Sequence, residues 1–133
     1  AGEDFLTLQQ HFPNTPARAG IVTMAGYTTL SQSAFLDDFA SGVSKREAMV
    51  LFAEQGATAA SLFGDRTSAT AWAAKPSYYA VSRQDRTIAP EFERYLANRM
   101  HATTIELDAG HLSMVTKPRE IADLIIRAAG IEL

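Results

Sequence analysis

Between Lys75 and Gly130 two short strand-like runs alternate with two proline-initiated helical patterns, an order that few folds accommodate. Ser77 to Ser82 (SYYAVS) is apolar and aromatic and follows Pro76, as a buried parallel strand would. Pro90 then stands where a helix can begin, because its missing N–H is not needed in the first turn. Phe92, Tyr95, Leu96 and Met100 recur at spacings of three and four, which predicts one buried helix face. Thr103 to Leu107 (TTIEL) is β-branched and alternating and reads as a second strand. Pro118 opens a last helix, with Ile121, Leu124, Ile125 and Ala128 predicted to face inward and Gly130 placed to cap its end. The result is a βαβα unit. Two strands joined by a crossover helix lie parallel, so their C-terminal ends share one edge of the sheet.

Asp85 follows the first of these strands and His111 follows the second. Neighbouring strands lie about 4.8 Å apart, so both side chains can reach one crevice beyond the strand ends. A carboxylate there would accept the Nδ1 proton of the imidazole and leave Nε2 as a base, two thirds of a nucleophilic triad. Taken singly, a loop aspartate most often caps a turn, and a lone histidine is most often decoration. Their placement after consecutive parallel strands makes the pair a candidate site. Asp108 is a rival acid, but three residues before His111 it lies too close along the loop, and a turn role is expected. His101 ends a helix, where a cation suits the dipole, and His11 has no nearby partner. A metal site from His101, Asp108 and His111 has no recognisable ligand spacing.

The stretches Asp-Arg-Thr-Ile-Ala-Pro (85–90), Gly-His-Leu-Ser-Met (110–114) and Lys-Pro-Arg-Glu-Ile-Ala (117–122) resemble the C-terminal part of an α/β-hydrolase. The likeness is closest to the branch of plant hydroxynitrile lyases, salicylate-type methyl esterases and their bacterial esterase relatives. It is strong over residues 71 to 127 and loose over the rest. In that family the triad runs serine, acid, histidine, so the resemblance implies that Asp85 is the acid and His111 the base. It also implies a partial α/β-hydrolase fold: a helical cap region over 1–70 and the end of the α/β core over 71–133. No Gly-x-Ser-x-Gly elbow occurs among the 133 residues. The expectation is therefore a hydrolase fragment lacking the nucleophile-bearing N-terminal half. In the complete enzyme it would serve hydrolysis of a small-molecule ester, with no cofactor. A cofactor-free hydroxynitrile lyase on the same scaffold is the alternative enzyme. A non-catalytic fragment or binding module is the alternative of another class.

The cap region is less patterned. Phe5 to Phe12 predicts a short helix ended by Pro13, Asn14 and Pro16. Ala17 to Leu30 reads as irregular or extended, with a small strand at Ile21-Val22. A helix is expected over Ser33–Val43, presenting Phe35, Leu36, Phe39 and Val43. Ser44-Lys-Arg-Glu47 is a capping box opening a further helix to about Gln55, and Ala57–Phe63 is read as another helical piece. Phe35, Phe39, Met49 and Phe52 are expected to pack, and some of the cap side chains would line a substrate pocket if the resemblance holds. Gly64 to Lys75 is a polar linker carrying the only tryptophan, Trp72.

Composition narrows the partners. A 47% hydrophobic and 20% charged chain folds. A net charge of −3 gives no electrostatic reason to expect nucleic acid or an anionic membrane. With no cysteine there is no disulfide or thiolate metal site. No apolar run approaches about 18 residues, and the first ten residues lack the basic and apolar regions of a signal peptide, so a cytoplasmic location is expected. Nine arginines against three lysines point to a GC-rich bacterial source. The expected macromolecular partner is the missing N-terminal half or a second copy of the chain.

Overall fold

A computed structural model describes residues 2–131; Ala1 and residues 132–133, the outermost positions of the two expected regions, lie outside the described residues. The C-terminal region follows the predicted order. Strand β4 (Tyr78–Ser82) and strand β5 (Thr103–Leu107) pair in parallel, from Tyr78 opposite Thr103 to Ser82 opposite Leu107. Between them runs α4 (Pro90–Arg99), with Pro90 in its first turn. A short α5 (Ser113–Thr116), not anticipated from the sequence, precedes α6 (Pro118–Ala128). Gly130 closes α6 at φ 73°, the left-handed conformation expected of a glycine after a helix end. Both α4 and α6 lie against β4.

The buried faces of these helices differ from the predicted ones. On α4 it is Phe92, Glu93 and Ala97 that are buried, while Tyr95 is 37% exposed. The face is rotated because a carboxyl group, which hydropathy assigns to solvent, turns inward. On α6 Leu124 is buried but Ile125 is 62% exposed and Ala128 is also exposed. The apolar stripe of α6 is wider than the surface the described residues offer it.

The N-terminal region is not a purely helical cap. Helix α1 (Phe5–Gln9) is capped by Asp4, whose Oδ1 accepts from the Thr7 N–H at 2.7 Å. A 3₁₀ turn (Pro16–Gly20) leads into β1 (Ile21–Met24) and β2 (Tyr27–Leu30), an antiparallel hairpin in the segment read as largely irregular. Its two-residue turn, Ala25-Gly26, has φ of 50° and 82°, the left-handed pair that matches the twist of a tight hairpin. Strand β3 (Thr58–Ala59) adds to β2 where a helical piece was expected. The Gln55 side chain extends that pairing: Oε1 accepts from Leu30 N–H at 2.7 Å and Nε2 donates to Leu30 C=O at 3.1 Å.

The helix predicted over Ser33–Val43 is shorter and irregular: one turn, α2 (Gln32–Ala34), widens into a π-helical turn at Phe35–Phe39. Helix α3 (Lys45–Ala53) begins as read, with Ser44 Oγ accepting from Glu47 N–H. A 3₁₀ turn at Leu62–Gly64 leads into the linker and a second, at Ala71–Ala73, breaks it. Phe35, Ala40 and Ala48 form a core cluster flanked by Leu30, Phe39 and Leu112. A second cluster joins the regions: the rings of Phe5 and Phe12 lie 5.2 and 4.8 Å from that of Phe92 on α4, which is fully buried. Aromatic pairs at these separations add to the burial of their area.

Candidate active site

The parallel ladder continues past the strand ends and sets the site. Arg83 N–H donates to Leu107 C=O at 2.9 Å, and Gln84 N–H to Ala109 C=O at 3.1 Å. Two loops leaving the same sheet edge are thus locked in register up to the residues that carry Asp85 and His111. Asp85 Oδ2 lies 2.7 Å from His111 Nδ1. The other oxygen, Oδ1, accepts from the N–H groups of Thr87 at 2.6 Å and Ile88 at 3.0 Å. The turn role usual for a loop aspartate and the contact with histidine are therefore held by one carboxylate, one oxygen each. The Asp85 side chain is almost wholly buried and that of His111 one-quarter exposed.

Burial pushes the Asp85 carboxyl up, but the hydrogen bond and charge of His111, a hydrogen bond from Glu93 and the Ile88 N–H outweigh it and hold it below the usual carboxylate range. With Nδ1 engaged, Nε2 stands at the opposite edge of the ring and has no hydrogen-bond partner among the described residues. His111 also lines a cavity of about 740 Å³, within the range of small-molecule sites. The cavity walls are largely apolar: Leu30, Phe35 and Phe39 from the N-terminal region face Ile88 and Leu112 from the loops beyond β4 and β5. The Phe39 ring sits 4.8 Å from the imidazole, so the π-helical turn forms one side of the histidine's pocket.

Three contacts from the N-terminal region hold the acid's loop. Thr15 Oγ1 donates to Thr87 C=O at 2.8 Å, Ala17 N–H to Arg86 C=O at 3.1 Å, and Arg86 Nε to Asp38 Oδ1 at 2.7 Å. The histidine's loop is held by close approach. A Cβ on Gly110 would collide with the hydroxyl and carbonyl oxygens of Ser41, so only glycine fits there.

The other sequence candidates fall elsewhere. Asp108 pairs with Arg83 at 2.7 Å on the surface. His101 sits exposed at the end of α4 at φ 49°, and His11 is exposed near α1. Sequence reasoning missed Asp38, Arg86 and Glu93. The first two are ordinary surface residue types 48 positions apart. Glu93 reads as an acid favouring a helix N-terminus.

Parallel strands joined by a crossover helix, with two loops leaving one sheet edge, define an α/β fold. The chain belongs to the alpha/beta hydrolase family, whose model matches residues 2–124. No curated protein matches it. Among the described residues no helix is long and apolar enough to cross a membrane.

Proposed function

We propose that Asp85 and His111 are the acid and base of a serine-hydrolase triad acting on carboxylic esters of small molecules. The observation that carries this reading is the 2.7 Å contact between Asp85 Oδ2 and His111 Nδ1 beside an apolar cavity. The acid fixes the tautomer and stabilises the imidazolium; Nε2 accepts the proton of a serine hydroxyl as its oxygen attacks the ester carbonyl. The same nitrogen returns that proton to the departing alcohol oxygen, leaving an acyl-serine that water, deprotonated in turn by Nε2, hydrolyses. The apolar walls suit a hydrocarbon acyl or alcohol group. In this reading the serine and the oxyanion donors come from a segment outside these 133 residues, the nucleophile-bearing half of the same fold.

A second reading rests on the absence of any Gly-x-Ser-x-Gly sequence in the chain: by itself it is a non-catalytic binding unit. One pair of measurements separates the two. The 133-residue chain alone should not turn over simple aryl esters. Combined with the nucleophile-bearing segment it should, and Asp85→Asn or His111→Ala should then lower kcat on the order of 10⁴-fold. A combined enzyme in which both substitutions leave kcat unchanged overturns the triad assignment. Serine-reagent-sensitive turnover by the chain alone overturns the placement of the nucleophile outside it.

A further inference from the structure

Behind the acid lies a second buried carboxyl that the mechanism above does not use. Glu93, in the first turn of α4, is 4% exposed. Its Oε2 accepts from the N–H of Ser82, the last residue of β4, at 2.8 Å. Asp85 N–H in turn donates to Ser82 C=O at 3.1 Å, so both carboxyl residues clasp the same strand end. Ser82 thus gathers two buried carboxyl groups at one strand end, near enough for each to act on the other's charge. Two carboxyl groups gathered at one strand end and shielded from water oppose each other's ionisation. Asp85 has the stronger claim to the charge, with His111 on one oxygen and two N–H donors on the other. The proton therefore belongs to Glu93.

Resting on the triad reading, we propose that Glu93 is a positioning residue: as a neutral carboxylic acid it donates its O–H to the Asp85 carboxylate and holds that group square to His111. Three oxygen-directed restraints then act on the acid from different elements: the loop amides, the imidazole and the α4 carboxyl. The other groups facing Glu93 agree with this assignment. Tyr79, on β4, is a neutral phenol pushed up to about 12 by burial and by the nearby Glu93 and Asp85. Arg94, a cation that acts on Glu93, spends its guanidinium on Glu106 through two bonds of 2.8 and 2.9 Å. Burial, then the contact with Asp85, lifts the Glu93 carboxyl to about 8, against the smaller opposing pull of the Ser82 N–H. Losing that proton would remove a donor from Asp85 and set two negative charges together behind the imidazole.

The test uses the chain as it stands, so it does not depend on turnover. In glutamate-labelled protein, the carbon-13 carboxyl signal of Glu93 should titrate with a midpoint near pH 8, while exposed glutamates titrate in the ordinary range. The nitrogen-15 shifts of His111 should change in step with the Glu93 signal. Glu93→Gln, whose amide can donate to Asp85 and accept from Ser82, should keep the His111 pattern and abolish the alkaline change. Glu93→Leu should alter the pattern throughout. A Glu93 midpoint in the ordinary range overturns the proposal, as does an alkaline change at His111 that persists in Glu93→Gln. Neither result touches the triad reading, which stands or falls on Asp85→Asn and His111→Ala in the combined enzyme.

Discussion

At the scale of single residues, Asp85 and Glu93 give the chain two opposite pH dependences. The Asp85 carboxyl is depressed in the folded state, so its contribution is present above the unfolded value of 3.8 and is lost as pH falls through the folded one. The Glu93 carboxyl is raised from 4.5 to about 8, so its contribution is present below 4.5 and is lost as pH rises through about 8. Urea midpoints should therefore fall on both sides of mildly acidic pH. Glu93→Gln should flatten the alkaline side only, and Asp85→Asn the acid side; an unchanged alkaline limb in Glu93→Gln would count against a raised Glu93. Gly110→Ala should destabilise by about 1–3 kcal/mol, the usual range for forcing atoms into filled space. Thermal unfolding would read that loss, and because Ser41 must give way, the His111 signals should move as well; an unchanged melting temperature would show that the loop relaxes freely. The meeting of Asp85 and His111 was legible in the sequence because each follows a strand whose pattern is plain, and the parallel pairing does the rest. Glu93 was not, since nothing local distinguishes a buried glutamate in a first helical turn from one that faces water.

At the scale of elements, the link between Asp38 and Arg86 shows how the N-terminal region governs the site. Asp38 belongs to the π-helical turn and is nearly buried, whereas Arg86 is half exposed. Removing the arginine leaves a shielded carboxylate without its donor, an imbalance that typically costs about 1–3 kcal/mol. Arg86→Ala should show that loss in urea unfolding, and Asp38→Asn combined with it should recover part of it. Additive single effects would mean that the two side chains do not interact in solution. The βαβα unit could be read element by element because proline starts and β-branched runs punctuate it. The β1–β2 hairpin could not. Every residue of β1 is exposed, Met24 at 79%, so no inside–outside alternation marks the strand. Its turn, Ala-Gly, lacks the asparagine or aspartate that usually announces a tight hairpin. On α6 the error had the opposite sign: the apolar repeat is real, yet Ile125 is left 62% exposed among the described residues.

That uncovered face sets the expectation for the whole molecule. Among the described residues β4 and β5 pair only with each other. A two-stranded sheet is marginal in water, and parallel sheets are ordinarily covered on both faces. The largest fully buried side chains are Phe92 and Val81, which is a small core for a parallel unit. Met114 and Ile125, 54% and 62% exposed, stand out from α5 and α6. Apolar surface next to an open strand edge draws a partner. We expect the isolated chain to close on a second copy across a two-fold axis, strand edge to strand edge, because identical edges are self-complementary under that symmetry. The nucleophile-bearing half proposed above would contend for the same edge. Sedimentation equilibrium at micromolar concentration should thus show a dimer, and adding that half should replace it with a one-to-one complex. A monomer at every concentration would mean that the β4–β5 edge needs no partner. A dimer that persists beside the complex, with both halves bound to each copy, would place the two-fold contact elsewhere on the surface.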